Sequence, residues 1–451
     1  MNIFILSLGC DKNLVDSEVM TGLLRDSGFN FTDDEEKADA VIINSCCFIG
    51  DAKEESINAV IEAGRLKEEG KVRYIILAGC LAERYSEEIK TELPEVDAII
   101  GTTAFDSLPG VLRRLSAEEA SEEGRDTRIV EKRDRDLPVF PEVSRSISTG
   151  GHFEYLKIAE GCDKGCTYCI IPYVRGRYRS VPEEKILREA EELCDRGVKE
   201  LILIAQETTV YGKDLYKKKA LPELLRKLSF IPGAEWIRLM YCYPEEIDPE
   251  LIRTIKELPK VCNYLDLPIQ HCSDRILKLM GRRTTKADIE ELIDTLRREI
   301  PDICLRTTLI TGFPGETEEE HKELLGFVEK CRFDRLGVFK YSPEEGTKAA
   351  SFPDQIPEEI KERRFDEIMS LQQQISLSVN EGLKGREMEC MIEGRIPEEM
   401  VYVARSRRDA PNVDGMVFID EESVKGSLIT GDLLKVRVTG ASEYDLYGEI
   451  V

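Results

Sequence analysis

The chain has 451 residues, 41% of them hydrophobic and 33% charged, with a formal net charge of −25 at pH 7. That length suits about three domains with their own cores, and the sequence offers no run of about 18 apolar residues to span a membrane. The negative charge argues against a general affinity for nucleic acid, where Lys and Arg must neutralise phosphates; it suits a basic partner, or simply solubility.

The opening MNIFILSLGCDKN reads as a first β-strand rather than a signal peptide, so a cytoplasmic chain is expected. The first hundred residues then alternate: a strand from Asn2 to Cys10, a helix from Leu14 to Asp26, a strand from Ala40 to Phe48, a helix from Ala52 to Glu69, a strand from Val72 to Cys80, a charged helix from Leu81, and a strand from Ala98 to Gly101. This βα alternation implies a small parallel sheet. Its first three strands end in Cys10, Cys46 and Cys80. Ligands sit at the carboxyl ends of parallel strands, so three thiols there either converge on one metal cluster or are buried cysteines at strand ends. Cys47 alternates to the other face and is left out of the site.

From Ser116 to Ser148 the sequence is charged and patternless, carries Pro138 and Pro141, and reads as a linker. From Tyr155 the alternation resumes with the strands FEYLKIA, ELILIAQE, WIRLMYCYP, YLDLPIQ, CLRTTLITGFPG and RLGVFKYS. Six βα units suggest a complete or incomplete barrel with its chemistry at the strand C-termini. Beyond a last long helix, Arg386 to Val451 read as short strands of a small antiparallel barrel carrying 14 Asp and Glu against 8 Lys and Arg, a net charge of −6. The expected division is 1–115, a linker 116–147, a barrel 148–379 and a terminal barrel 381–451.

Fourteen cysteines in a long cytosolic chain stay reduced, so clustered ones point to metal or catalysis. Cys194, Cys242, Cys262, Cys304, Cys331 and Cys390 stand singly in apolar contexts and read mostly as core. Cys162, Cys166 and Cys169 form CxxxCxxC just after the first barrel strand. A structural zinc site takes four ligands, whereas three thiolates on an iron–sulfur cluster leave one iron open to a reactant. The three histidines are His152, His271 and His321, and spacing alone leaves His152 available to a zinc site.

The motif CDKGCTYC, with Tyr168 before its last cysteine, resembles that of the radical S-adenosylmethionine superfamily. The whole layout resembles the methylthiotransferases, in which the terminal barrel is a TRAM domain docking a macromolecular substrate. The resemblance implies two [4Fe-4S] clusters, one on Cys162, Cys166 and Cys169 and an auxiliary one on Cys10, Cys46 and Cys80. It also implies S-adenosylmethionine on the open iron, cleaved by one electron to a radical that abstracts hydrogen from an unactivated carbon. SLGCDKNLVDSE, AQETTVYG, YCYP and LPIQHCSDRILKLMGR resemble the RimO-type branch, which methylthiolates the β-carbon of an aspartate of small-subunit ribosomal protein twelve. Glu207 and Ser45 depart from that branch, which has Asp and Thr there. The other branch modifies adenosine in transfer RNA, and an RNA-docking barrel should be basic; this one is acidic.

The resemblance further implies cofactor contacts from Tyr168, from Gln206 and Glu207, from Gln270, Ser273 and Asp274, and from Gly312 and Gly315 of GFPG. Two of these have plainer readings, GFPG as a tight turn and Asp274 as the cap of a helix Arg275 to Met280, and the acids Glu316 to Glu320 after GFPG read as a helix N-terminus. Arg405, Arg407 and Arg408 form a local basic cluster, read as a solvated loop or a contact to ribosomal RNA. The expected partners are ribosomal protein twelve or the assembled small subunit and an electron donor, with no membrane, for a monomeric enzyme.

Overall fold

The computed structural model describes residues 1–118, 128–138, 143–424 and 426–451. The chain divides into two compact units, one made of Met1–Ser148, Ala159–Val181 and Glu344–Thr347, the other of Thr149–Ile158, Pro182–Pro343 and Lys348–Val451.

The first unit is built on a six-stranded parallel sheet in the order Asn30–Phe31, Asn2–Ser7, Ala40–Ser45, Tyr74–Gly79, Ala98–Ile100 and Ile129–Glu131. Ala40–Ser45 and Tyr74–Gly79 are buried along their whole length, as strands covered by helices on both faces must be. Alternate side chains serve opposite cores: Ile42, Ile76 and Ala78 pack on one side, Val41, Ile43, Ile75 and Leu77 on the other. Helix Asp11–Asp26 buries Val15, Met20 and Leu24.

Part of the expected linker is ordered sheet. Ile129–Glu131 pairs with Ala98–Ile100 as the edge strand, with Ile129 in the core. Three residues are too few to show an alternation in the sequence, so the linker reading missed them. Further on, Arg25 donates to Ser144 O and Ser146 Oγ at 2.9 Å each, and Glu18 Oε1 accepts from Ser148 N at 2.8 Å. The rest of that stretch, 119–127 and 139–142 with Pro141, lies outside the described residues.

The second unit contains the six expected barrel strands as an open parallel sheet, in the order Arg335–Lys340, Cys304–Thr311, Val261–Gln270, Trp236–Leu239, Glu200–Ile204 and Phe153–Lys157. The barrel is thus the incomplete kind, with helices between successive strands. The helix beginning at Asp274 is capped by Ser273, whose hydroxyl accepts from Ile276 N, rather than by Asp274. Asp274 accepts instead from Lys286 N at 2.7 Å.

The last residues close a five-stranded barrel in the order Glu387–Ile396, Val401–Ser406, Val417–Asp420, Leu446–Ile450 and Leu433–Ala441. It is antiparallel except where Val417–Asp420 runs parallel to Leu446–Ile450. Cys390, Ile392, Tyr402, Val417, Ile419 and Val436 fill its core.

The arginine cluster of this barrel is neither a solvated loop nor a patch for RNA. Arg405 and Glu200 are both fully buried, and Arg405 donates to Glu200 and, at 2.9 Å, to Glu393. Its guanidinium also lies 5.7 Å from the rings of Phe153 and Trp236. Arg407 donates to Glu389 at 3.0 Å and Arg408 to Asp334. Spacing in the sequence could not reveal this, because Glu200 and Arg238, the other half of the clamp, lie far upstream. The six single cysteines are all buried, as expected of core residues.

Burial alone would raise Glu200, but Arg238 and Arg405 hold it below the ordinary carboxylate range. Its stabilisation is therefore present above the unfolded value, about 4.3, and is lost as pH falls through the lower folded value. Removing one partner of a buried pair strands the other charge, at a cost of about 3–5 kcal/mol. Arg405→Ala should lose about that much in chemical denaturation at neutral pH; a loss below about 1 kcal/mol would contradict the clamp.

Candidate metal and cofactor centre

In the first unit the sheet order sets Asn2–Ser7, Ala40–Ser45 and Tyr74–Gly79 side by side, so Cys10, Cys46 and Cys80 emerge at one carboxyl edge. Two glycines make this approach possible. Gly9 has φ +88, and a Cβ there would lie 2.7 Å from Cys46 Sγ. Gly79 has φ +89, and a Cβ there would lie 2.3 Å from Asn44 Oδ1. Only glycine takes that backbone conformation without cost and leaves that space.

The loops are pinned by side chains. Asn13 Nδ2 donates to Leu8 O at 2.8 Å and Ser45 O at 3.1 Å, and Asn44 Nδ2 donates to Asn13 O at 2.7 Å. Ser56 Oγ accepts from Cys46 N and donates to Cys46 O, both at 2.9 Å. Burial raises the Cys46 thiol, and the charge of Cys10 adds to the shift. Burial drives Cys80 higher still, Arg175 opposes it, and Cys47, Cys46 and Cys10 each add to it. The three thiols are therefore close enough to feel one another. Cys47 is buried in the apolar cluster that holds Val41, Leu77 and Cys80, and burial pushes it up to about 11.

The same unit carries the second triad. Cys162, Cys166 and Cys169 lie on the loop between Ala159–Glu160 and the short helix Ile171–Arg175. Cys162 N donates to Gly176 O and Cys169 N to Cys166 O, each at 3.1 Å. Cys162 and Cys166 are buried, and Tyr168 is half-buried next to Cys169. Desolvation, then the charges of Cys166 and Cys162, push Cys169 above the ordinary thiol range. Among the described residues no three His, Cys, Asp or Glu side chains stand close enough to share a single metal ion. Three thiols in each set are the donor type that iron–sulfur clusters take. His152, the zinc alternative, is engaged with Glu393 at 2.7 Å.

In the second unit the expected cofactor residues sit at strand ends. Gln206 and Glu207 follow Glu200–Ile204, Gln270 ends Val261–Gln270 with φ +73, and Gly312 follows Cys304–Thr311. Glu207 is buried and accepts from Thr209 N at 3.2 Å. Ser273 donates to Glu320 at 2.8 Å besides capping its helix. Gly315 N donates to Asp354 O at 2.9 Å.

The sequence reading missed Glu316. It was taken with the acids of a helix N-terminus, but the helix is Glu318–Cys331, capped by Thr317 with Glu320 in a capping box. Glu316 is turned into the interior, where its carboxylate accepts from Gly312 N at 2.5 Å and Phe313 N at 3.0 Å. Arg364 lies 3.4 Å from its other oxygen. GFPG is thus a turn tied to a buried anion. Asn13, Asp16 and Arg175 were also missed as site residues; the regular i, i+3 spacing of Asn13 and Asp16 on one helix face was the available signal.

Three family models match the chain: the uncharacterized protein family UPF0004 over residues 2–101, the radical SAM superfamily over 156–328 and the TRAM domain over 385–451. Among solved structures, the radical S-adenosylmethionine methyltransferase TsrM from Kitasatospora setae shares the fold with a TM-score of 0.54 at 16% identity, over 77% of this chain and 73% of that one. The cobalamin-dependent radical enzyme OxsB does so with a TM-score of 0.53 at 14% identity, over 82% of this chain and 56% of that one. Fold and site together define a radical S-adenosylmethionine enzyme with a TRAM barrel. Curated relatives narrow this. The protein from Lachnoclostridium phytofermentans named ribosomal protein uS12 methylthiotransferase RimO is 54% identical over 99% of both chains. Its namesake from Clostridioides difficile is 48% identical over 100% of this chain and 99% of its own. The chain belongs to the RimO family of ribosomal protein uS12 methylthiotransferases.

Cys46 and Cys47, adjacent in the chain, allow a direct contrast. After anaerobic reconstitution, Cys46→Ala should bind about four iron atoms fewer per chain than the unaltered protein, and Cys47→Ala the same number as it. Equal losses from the two would contradict the assignment.

Proposed function

We propose that the protein transfers a methylthio group to the β-carbon of an aspartate of ribosomal protein uS12, using two [4Fe-4S] clusters and S-adenosylmethionine. The observation that carries this reading is the pair of thiol triads in one unit, one at the carboxyl edge of the sheet and one in CxxxCxxC. Cys162, Cys166 and Cys169 hold the cluster with the open iron, and Cys10, Cys46 and Cys80 hold the auxiliary one. When bound, the clusters and S-adenosylmethionine supply the radical chemistry that opens an unactivated C–H bond and the sulfur that replaces the hydrogen.

The chain's own residues bind and orient. Within the second unit Gln206, Glu207, Gln270, Ser273, Asp274, Gly312 and Gly315 contact S-adenosylmethionine, and Glu316 keeps GFPG rigid by accepting from two of its amides; within the first unit Tyr168, beside Cys169, is a further cofactor contact. The terminal barrel, at net charge −6, suits a basic ribosomal protein better than the phosphates of transfer RNA. Arg405 is spent inside the clamp, and Arg407 and Arg408 are paired with Glu389 and Asp334. We place the enzyme in the cytoplasm with the ribosome, as a monomer served by an external electron donor. No helix among the described residues is long and apolar enough to cross a membrane.

The test is to reconstitute the protein anaerobically with iron, sulfide, S-adenosylmethionine and a reductant. Small ribosomal subunits and bulk transfer RNA are then offered separately and read by mass spectrometry. A methylthio mass gain on a uS12 peptide is expected; a gain on adenosine alone would overturn the substrate assignment. Within the same assay Glu316→Ala should weaken S-adenosylmethionine binding at least about tenfold, since two amides and Arg364 lose their partner. Unchanged binding would contradict the role given to the turn.

A further inference from the structure

Arg175 is the last residue of the short helix after CxxxCxxC, and it is 2% exposed. Its Nε donates to Cys80 Sγ at 3.3 Å. One Nη donates to Asp16 at 2.6 Å and to Glu160 at 3.3 Å, and the other to Asn13 Oδ1. Asn13 Oδ1 is itself 3.8 Å from Cys80 Sγ. A buried guanidinium is thus held in one orientation by a carboxylate on helix Asp11–Asp26 and aimed at the sulfur of one triad. It lies six residues beyond the last cysteine of the other triad. A plain structural ion pair needs only Asp16. The contact to sulfur, and the anchoring by Asn13, which also pins the Cys10 and Cys46 loops, go beyond it.

We infer that Arg175 is a positioning residue for the auxiliary cluster, orienting the Cys80 thiolate and raising the reduction potential of the iron it binds. An N–H donor and a fixed positive charge beside a ligating sulfur stabilise the more negative, reduced state. Low dielectric in the interior strengthens that effect. Because Arg175 and the CxxxCxxC loop share one backbone segment, one helix orients ligands for both triads.

This inference rests on the reading of Cys10, Cys46 and Cys80 as ligands, and the experiment separates the two. The full chain carrying Cys162→Ala, Cys166→Ala and Cys169→Ala is reconstituted so that one cluster remains. Iron is counted, and the midpoint potential is followed by electron paramagnetic resonance during reductive titration. In that background Cys80→Ala should lose the iron; full retention would overturn both the ligand reading and the inference. Arg175→Gln combined with Asp16→Asn avoids stranding the Asp16 carboxylate, with Glu160 still facing Arg179. It should keep its iron while the reduced fraction falls about tenfold at fixed potential, a shift of about 59 mV to lower potential for one electron. Arg175→Lys keeps the charge but loses the planar fork, so its shift should be smaller. An unchanged potential in the neutral double variant, with iron retained, would reduce Arg175 to a structural ion pair and overturn the inference.

Discussion

A thiol removed from water resists ionisation unless positive charge meets it, and the first unit is organised around that constraint. Its parallel sheet brings Cys10, Cys46 and Cys80 to one edge, where burial keeps Cys46 and Cys80 above their ordinary range. Among the described residues the buried cation aimed at them is Arg175, itself held by Asp16 and Glu160. On the proposed reading, a cluster bound at this edge would add to the stability of the fold.

The second unit meets the same problem with ordinary ions. Glu200 lies fully buried between Arg238 and Arg405, so the floor of the parallel sheet and the small terminal barrel share one charge cluster. Arg405 also rests against Phe153 and Trp236. A planar guanidinium can satisfy two carboxylates and pack on aromatic rings at once, which an ammonium cannot. Arg405, buried in this clamp, adds no charge to the outer surface of the terminal barrel.

Much of this was legible in the sequence because the strands are short apolar runs followed by glycine and polar turns. The three apolar strands followed by cysteine, the six barrel strands and the terminal barrel all stood out by periodicity. The strand Ile129–Glu131 did not, being three residues in a charged stretch whose partner lies thirty residues upstream. Glu316 and Arg405 were misread for one reason. Sequence pattern sees a charged residue among charged neighbours, while burial depends on partners distant in the chain. Arg175 was hidden differently, six residues beyond CDKGCTYC and behind the cysteines that drew attention. The cysteines after the strand ends were visible; the groups that pin their loops were not.

The central claim is that two separate thiol triads each hold a four-iron cluster. It is tested most directly by counting iron and sulfide in anaerobically reconstituted full chain, with Mössbauer spectra to identify cluster type. The account predicts about eight irons in the unaltered protein, about four when Cys10, Cys46 and Cys80 are all alanine, and about four when Cys162, Cys166 and Cys169 are. A loss confined to one set, with the other set's removal changing nothing, would contradict it.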